Sequence, residues 1–263
     1  QQEAFAQLLD DMQEQGIQKF KLSGIRLSAA GYGVLVAEFE KPGRLSEHIH
    51  ELDFSDTEFP QITTLLQATD SQHGGQLRSL NFANVQFPRS RVKGQSDMSR
   101  IVGLQPNHLS LITKIVKDNE GMSYLNLSYQ DLMGSTLART NPGSSHRDAP
   151  VYRLVEACLK SRIEILKLQH CELSDLDLSD IRDMLHKSAQ SGQTSLRELH
   201  LQGNDIGHAH DYAGFIQGLN AHPSLEYLGL PAMAHDRYKQ LDKDQKLAVA
   251  QALQACPKLS KLE

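Results

Sequence analysis

Histidines in one part of the chain have the spacing of possible metal ligands. His208 and His210 form an H-x-H pair with Asp211 beside them, and His200 and His222 lie close in sequence. Zinc binds imidazole and carboxylate groups in tetrahedral sets, so these residue types are suitable. However, a strand residue at His200 and a helix-end residue at His222 should lie apart. We therefore expect solvated loop histidines and no metal site.

The three cysteines give no sign of redox or catalytic chemistry. Cys158, Cys171 and Cys256 are odd in number and lack C-x-x-C spacing, which disfavours a disulfide framework or a cysteine zinc site. A nucleophilic cysteine also needs a nearby base or helix start, and apolar helix residues surround two of the three. We expect buried, reduced thiols. With no nucleophile elbow in the sequence, we predict a protein without catalytic activity or cofactor.

One pair of glycines resembles part of a nucleotide-binding loop, but the spacing of glycines in this segment does not fit such a loop. Residues 31–33 read GYG, and no third glycine follows at the distance that a dinucleotide-binding loop requires. We expect this segment to be an ordinary loop between a strand and a helix.

The histidines, cysteines and glycines considered above lie within a sequence pattern that repeats along the chain. The spacing L-x-x-L-x-L-x-x-N/C-x-L is clearest in LRELHLQGNDI, residues 196–206. The same pattern also begins at seven other residues: Ile17, Ile49, Leu77, Met122, Ile163, Leu225 and Leu259. Side chains of a strand alternate between faces, so Leu199 and Leu201 should enter a core while Glu198 and His200 point outward.

The ninth position of the pattern should serve a turn. An asparagine there, Asn204, can hydrogen-bond the backbone of neighbouring repeats. Only Asn204 and Cys171 have the expected residue types, which predicts loosened turns in the other repeats. Their ninth residues are Ile25, Thr57, Val85, Gln130 and Met233.

Between the strand segments, apolar residues recur every three or four positions, which predicts amphipathic helices. This pattern occurs in PQITTLLQAT, NHLSLITKIVKD, PVYRLVEACLKS, LSDIRDMLHKSA, DYAGFIQGLNAH and DKDQKLAVAQALQAC. We predict N-terminal caps at Asn107, Asp180 and Asp242, and a helix end at Gly192.

From Ile17 to Glu263 the repeats resemble those of leucine-rich-repeat proteins of the ribonuclease-inhibitor-like subtype. The resemblance implies an α/β fold, a leucine-rich-repeat solenoid shaped as a curved horseshoe, with parallel strands on the concave face and helices on the convex face. We expect a single domain over residues 1–263, with about seven full repeats and partial repeats at both ends. Such ends predict that the chain is a fragment of a longer one.

Composition narrows the classes of partner. The 263 residues carry a formal net charge of −5, which argues against a dedicated nucleic-acid binder. No segment approaches the roughly 18 consecutive apolar residues of a membrane span. We expect a cytoplasmic monomer that binds neither nucleic acid nor membrane.

The outward strand positions form the candidate partner-binding surface. Aromatic and aliphatic side chains gather towards the middle and C-terminal repeats, with a polar rim around them. An acidic patch that could steer a basic partner lies one or two repeats away. Alternatively, isolated surface aromatics carry no function. The candidates are Tyr124, Asn126, Tyr129, Ile165, Lys167, Glu198, His200 and Tyr227, with Glu51 and Asp53 in the acidic patch.

Two insertions after adjacent strands are rich in arginine and should project from one edge of the solenoid. They could grip an acidic partner or a phosphate, or they could be solvated loops without function. Their basic residues are Arg89, Arg91, Lys93 and Arg100 in the first insertion, and Arg139 and Arg147 in the second.

The leading hypothesis is a non-catalytic recognition module that binds a protein partner on the concave face. The resemblance extends to intracellular immune receptors, ribonuclease inhibitors and secreted bacterial effectors, and the Gln- and His-rich divergence favours an effector in a host cytoplasm. The alternative is a GTPase-activating protein that places Arg89, Arg91 or Arg139 on a transferring phosphoryl group. An enzyme in flanking sequence is a third hypothesis.

Overall fold

A computed structural model describes residues 2–41, 48–72, 76–86, 104–132, 149–192, 194–204, 215–216, 222–231, 242–255 and 258–262. The strands are β1 Lys19–Lys21, β2 Glu51–Asp53, β3 Ser79–Asn81, β4 Tyr124–Asn126, β5 Ile165–Lys167, β6 Glu198–His200, β7 Tyr227–Gly229 and β8 Lys261–Leu262. The helices are α1 Gln2–Glu14, α2 Ala29–Glu40, α3 Thr63–Gln72, α4 Pro106–Asp118, α5 Pro150–Lys160, α6 Asp175–Ser191 and α7 Lys243–Gln254.

The strands form one parallel sheet in which their order follows the chain from β1 to β8. Each strand pairs with the next at the same repeat position, so that Leu166 lies opposite Leu199 and Leu199 opposite Leu228. The helices from α1 to α6 likewise contact their neighbours in chain order. The fold is an α/β solenoid of the leucine-rich-repeat type, and the register confirms all eight repeat starts.

The helices and the leucine side of the sheet enclose one continuous core. In the repeat at residues 196–206, Leu196, Leu199 and Leu201 are buried, as the alternation predicts. Towards the N-terminal end, phenylalanines replace leucines in the core. The Phe54 ring centroid lies 6.1 Å from that of Phe20 and 5.4 Å from that of Phe82. Removing one such buried side chain costs about 2 to 5 kcal/mol, since the site cannot fully collapse.

The ninth positions form a hydrogen-bonded ladder even where their residue types depart from the pattern. Four of these side chains donate to the carbonyl at the sixth position of the preceding repeat. The pairs are Thr57 with Leu22 at 2.6 Å, Gln130 with Phe82 at 2.8 Å, Cys171 with Leu127 at 3.2 Å and Asn204 with Leu168 at 2.7 Å. The predicted loosening of these turns is therefore wrong at Thr57 and Gln130, since a hydroxyl or a longer amide reaches the same acceptor.

The eighth positions share one backbone conformation, which the sequence pattern does not predict. All six that the structure describes have left-handed backbones, although only two are glycine. They are Gly24 (φ 74°), Asp56 (57°), Asn84 (52°), Tyr129 (62°), His170 (51°) and Gly203 (75°). At Gly203 the room is also needed, because an added Cβ would lie 2.2 Å from Nδ1 of His170.

Three helix boundaries differ from the sequence-based expectation. Residues 31–33 lie inside α2, whose cap is Ser28, and not in a loop. The caps of α4 and α6 are Gln105 and Ser174, so the predicted caps Asn107 and Asp180 are wrong. The prediction at Asp242 is confirmed, because its side chain accepts a hydrogen bond from the backbone N–H of Gln245.

Candidate partner-binding face of the sheet

The outward side chains at the third and fifth repeat positions of β1 to β8 form a surface that we call the open sheet face. The strand register aligns the third positions in one row: Lys19, Glu51, Ser79, Tyr124, Ile165, Glu198, Tyr227 and Lys261. From β1 to β6 the side chains in both rows are exposed or half-buried. The predicted partner-binding residues of the strands therefore share one surface.

At the N-terminal end of the open sheet face, the acidic residues are already paired. Lys19 lies 2.8 Å from Glu51, and Lys21 lies 3.2 Å from Asp53. Although burial alone would raise it, the pKa of Asp53 lies below its ordinary value, because Ser55 and Lys21 stabilise the carboxylate. The predicted acidic patch of Glu51 and Asp53 is thus largely neutralised by lysines of β1.

The middle of the open sheet face is amphipathic. Tyr124 and Ile165 are paired neighbours on β4 and β5, and Nζ of Lys167 lies 5.6 Å from the centre of the Tyr124 ring. Burial raises the pKa of Tyr124, while the side chain of Asn126 hydrogen-bonds to it. These four predicted residues form a contiguous cluster, which we call the central patch.

At the C-terminal end the outward side chains pack on one another. His200 lies 3.1 Å from Glu198, and its ring stacks on Tyr227 at 4.2 Å between centroids. Gln202 donates to the Tyr227 hydroxyl at 2.6 Å, and Nζ of Lys261 lies 5.2 Å from the ring. Tyr227 is only 9% exposed. The prediction of Tyr227 as an exposed contact residue is therefore corrected, because its neighbours cover it.

Tyr129 lies in the turn after β4 and not on the strand. It is 56% exposed and stacks on His170, with ring centroids 4.7 Å apart and planes inclined by 13°. Sequence analysis missed His170 as the partner of Tyr129. The available signal was that the two residues share the eighth position of adjacent repeats.

The candidate metal ligands do not form a site in the part of the chain that the structure describes, where no group of three or more His, Cys, Asp or Glu could hold a metal ion. His208, His210 and Asp211 lie outside the described residues. His222 is fully buried, which corrects the expectation of a solvated histidine, and burial lowers its pKa to about 4.

The described cysteines are structural. Cys158 and Cys171 are both buried, and burial raises the pKa of each thiol to about 12. At neutral pH both are therefore thiols and poor nucleophiles. Cys256 lies outside the described residues.

The predicted basic loops cannot be placed against the open sheet face. Arg89, Arg91, Lys93, Arg100, Arg139 and Arg147 all lie outside the described residues. Among the helices that the structure describes, none is long and apolar enough to cross a membrane.

Comparison with known proteins gives a likeness in structure only. No protein-family model matches the sequence, and no curated protein does so either. Among solved structures, one titled "Leiomodin-1 Actin-Binding Site 2 (ABS2)" is 17% identical, with 57% of this chain and 75% of that chain covered and a TM-score of 0.43. The repeat register and chain-order topology described above define the fold independently of this likeness.

Proposed function

We propose that the protein is a recognition module that binds a protein partner through the open sheet face and catalyses no reaction. The observation that carries the proposal is the central patch, where Tyr124 and Ile165 place half-buried apolar surface beside Lys167 and Asn126. Aromatic side chains with a polar rim are typical of binding hot spots. The curvature implied by the leucine-rich-repeat resemblance would make this face concave.

The backbone under the central patch supports this function because it is held on both sides. β4 and β5 pair with each other and with β3 and β6. Their inward leucines, Leu125 and Leu166, are buried. A surface fixed in this way loses little conformational entropy when a partner binds, which favours affinity.

The test is affinity capture with the whole chain, using the double variant Tyr124→Ala with Ile165→Ala. Proteins retained by the wild type are identified by mass spectrometry, then produced and titrated by calorimetry. We expect the double variant to bind at least about tenfold more weakly, since hot-spot truncations cost 1 to 2 kcal/mol or more.

Leu176→Ala is the matched control, because Leu176 is a 62% exposed apolar residue on α6. This control should keep the wild-type affinity. Equal binding by the double variant would contradict the proposal. A targeting role within a bacterial effector in a host cytoplasm and a monomeric state stay hypotheses based on the sequence resemblance.

A further inference from the structure

Lys167 differs from the lysines at the N-terminal end of the open sheet face. Lys19 and Lys21 each lie within 3.2 Å of a carboxylate on β2. Lys167 forms no ion pair with any carboxylate of the described residues, and its ammonium group lies over the ring of Tyr124 instead. Among the residues that the structure describes, this position on the face therefore carries a positive charge that no carboxylate pairs with.

The surroundings of Lys167 favour a carboxylate as its missing partner. The side chain is half-buried, so its aliphatic part packs on the sheet while its ammonium group stays accessible to a partner. The ring of Tyr124 holds the ammonium group 5.6 Å from its centre, which reduces the entropy that a new ion pair would cost. A charge-assisted hydrogen bond to a carboxylate is about twice as strong as a hydrogen bond between neutral groups, so a carboxylate is the partner that favours this ammonium group most.

The carboxylates near the central patch are already occupied. Asp53 accepts hydrogen bonds from Ser55 at 2.7 Å and Asn81 at 3.0 Å, in addition to its ion pair with Lys21. Glu198, on the other side, is bonded to His200 at 3.1 Å. A basic partner would have to displace these contacts, whereas an acidic partner would add one at Lys167.

We infer that the partner is an acidic segment of a protein, whose Asp or Glu carboxylate pairs with Lys167 while a neighbouring apolar side chain packs on Tyr124 and Ile165. Ile165 and Lys167 are two residues apart on one strand, so the matching groups of the partner should lie about 7 Å apart. This inference rests on the proposed function and names the chemistry of its partner.

The test uses three displayed peptide libraries whose central residue is Asp or Glu, Lys or Arg, or Asn or Gln, with random flanking positions. Each library is selected on the whole wild-type chain and on the variants Lys167→Glu, Ile165→Glu and Lys117→Glu. Lys117 is an exposed residue on α4, so its variant changes the same charge on the helix side. Circular dichroism confirms that each variant is folded.

We expect the acidic library to be enriched on the wild type, with an apolar residue favoured near its centre. The selected peptides should bind Lys167→Glu and Ile165→Glu at least about tenfold more weakly, and Lys117→Glu as tightly as the wild type. Enrichment of basic or neutral peptides that still depend on Ile165 would overturn the inference and leave the proposed function standing. Acidic peptides that bind all variants equally would overturn both.

Discussion

Replacing Asn204 by alanine tests whether the ninth-position ladder holds the repeats together. The Asn204 side chain is buried and makes four hydrogen bonds to the backbone. Its amide donates to the carbonyls of Leu168 at 2.7 Å and Leu201 at 2.9 Å. Its oxygen accepts from the N–H groups of Cys171 at 3.0 Å and Leu173 at 3.2 Å.

The expected cost follows from the backbone groups that lose their partners. The carbonyl of Leu201 keeps a bond from the Asn204 backbone N–H at 3.3 Å, so it stays satisfied. The Leu168 carbonyl loses its donor, and the N–H groups of Cys171 and Leu173 lose their acceptor. Each unsatisfied buried group costs about 1 to 3 kcal/mol, and water entering the space left by the side chain would offset part of this. We expect the variant to lose about 3 to 5 kcal/mol of unfolding free energy.

Two variants at the same repeat position separate hydrogen bonding from packing. Thr57→Val keeps the side-chain shape and removes the 2.6 Å bond to Leu22, so it should cost about 1 to 2 kcal/mol. Val85→Ala removes buried methyl groups and no side-chain hydrogen bond, so it measures packing alone. Urea unfolding followed by circular dichroism gives the three free energies. A loss for Asn204→Ala no larger than that of Thr57→Val would refute the reasoning.

Two further predictions concern the eighth position and a buried histidine. Gly203→Ala should destabilise the protein more than Gly24→Ala, because both have left-handed backbones but only at position 203 would the new Cβ meet His170. Thermal unfolding checks this, and equal losses would contradict it. His222 has a folded pKa of about 4 against an unfolded value of 6.5, so unfolding takes up a proton between these pH values. Stability should therefore fall below pH 6.5 by up to about 1.4 kcal/mol per pH unit, and less steeply in His222→Leu.

Much of the fold follows from residue spacing alone. The repeat starts fixed which residues pair, because a parallel ladder joins equivalent positions such as Leu80 and Leu125. The alternation of side chains also predicted burial in the strands. The helix expected after residues 31–33 begins earlier, at residue 29, because the two glycines that are typical of loops, Gly31 and Gly33, lie in its first turns. Its cap at Ser28 and its buried Leu35 and Phe39 outweigh that preference.

The turns at the eighth and ninth repeat positions show what residue type alone does not determine. The expected consensus at the ninth position was Asn or Cys, yet Thr57 and Gln130 make equivalent bonds. What matters there is a donor that reaches one carbonyl, which residue type alone does not specify. The left-handed turn at Tyr129 is likewise unexpected for a bulky side chain, and packing on His170 accompanies it.

On the open sheet face, the position of each side chain could be predicted but its environment could not. Spacing placed Tyr124 and Tyr227 in one row, and both are there. One is half-buried and the other is covered, because His200 and Gln202 close over Tyr227. Such contacts depend on rotamers of neighbouring strands, and these are not determined by a sequence pattern.

The separation of inward leucines from outward residues has an evolutionary consequence. If the central patch binds the partner as we propose, a substitution at Tyr124 or Lys167 would alter recognition while the buried leucines keep the repeat intact, so specificity would change with little loss of stability. At Gly229 an added Cβ would lie 2.2 Å from the Gln202 amide, so that this side chain would have to move and its hydrogen bond to Tyr227 would be disturbed. We therefore expect sequence variation among descendants of this chain to be greater at the outward positions of β4 and β5 than at Gly229.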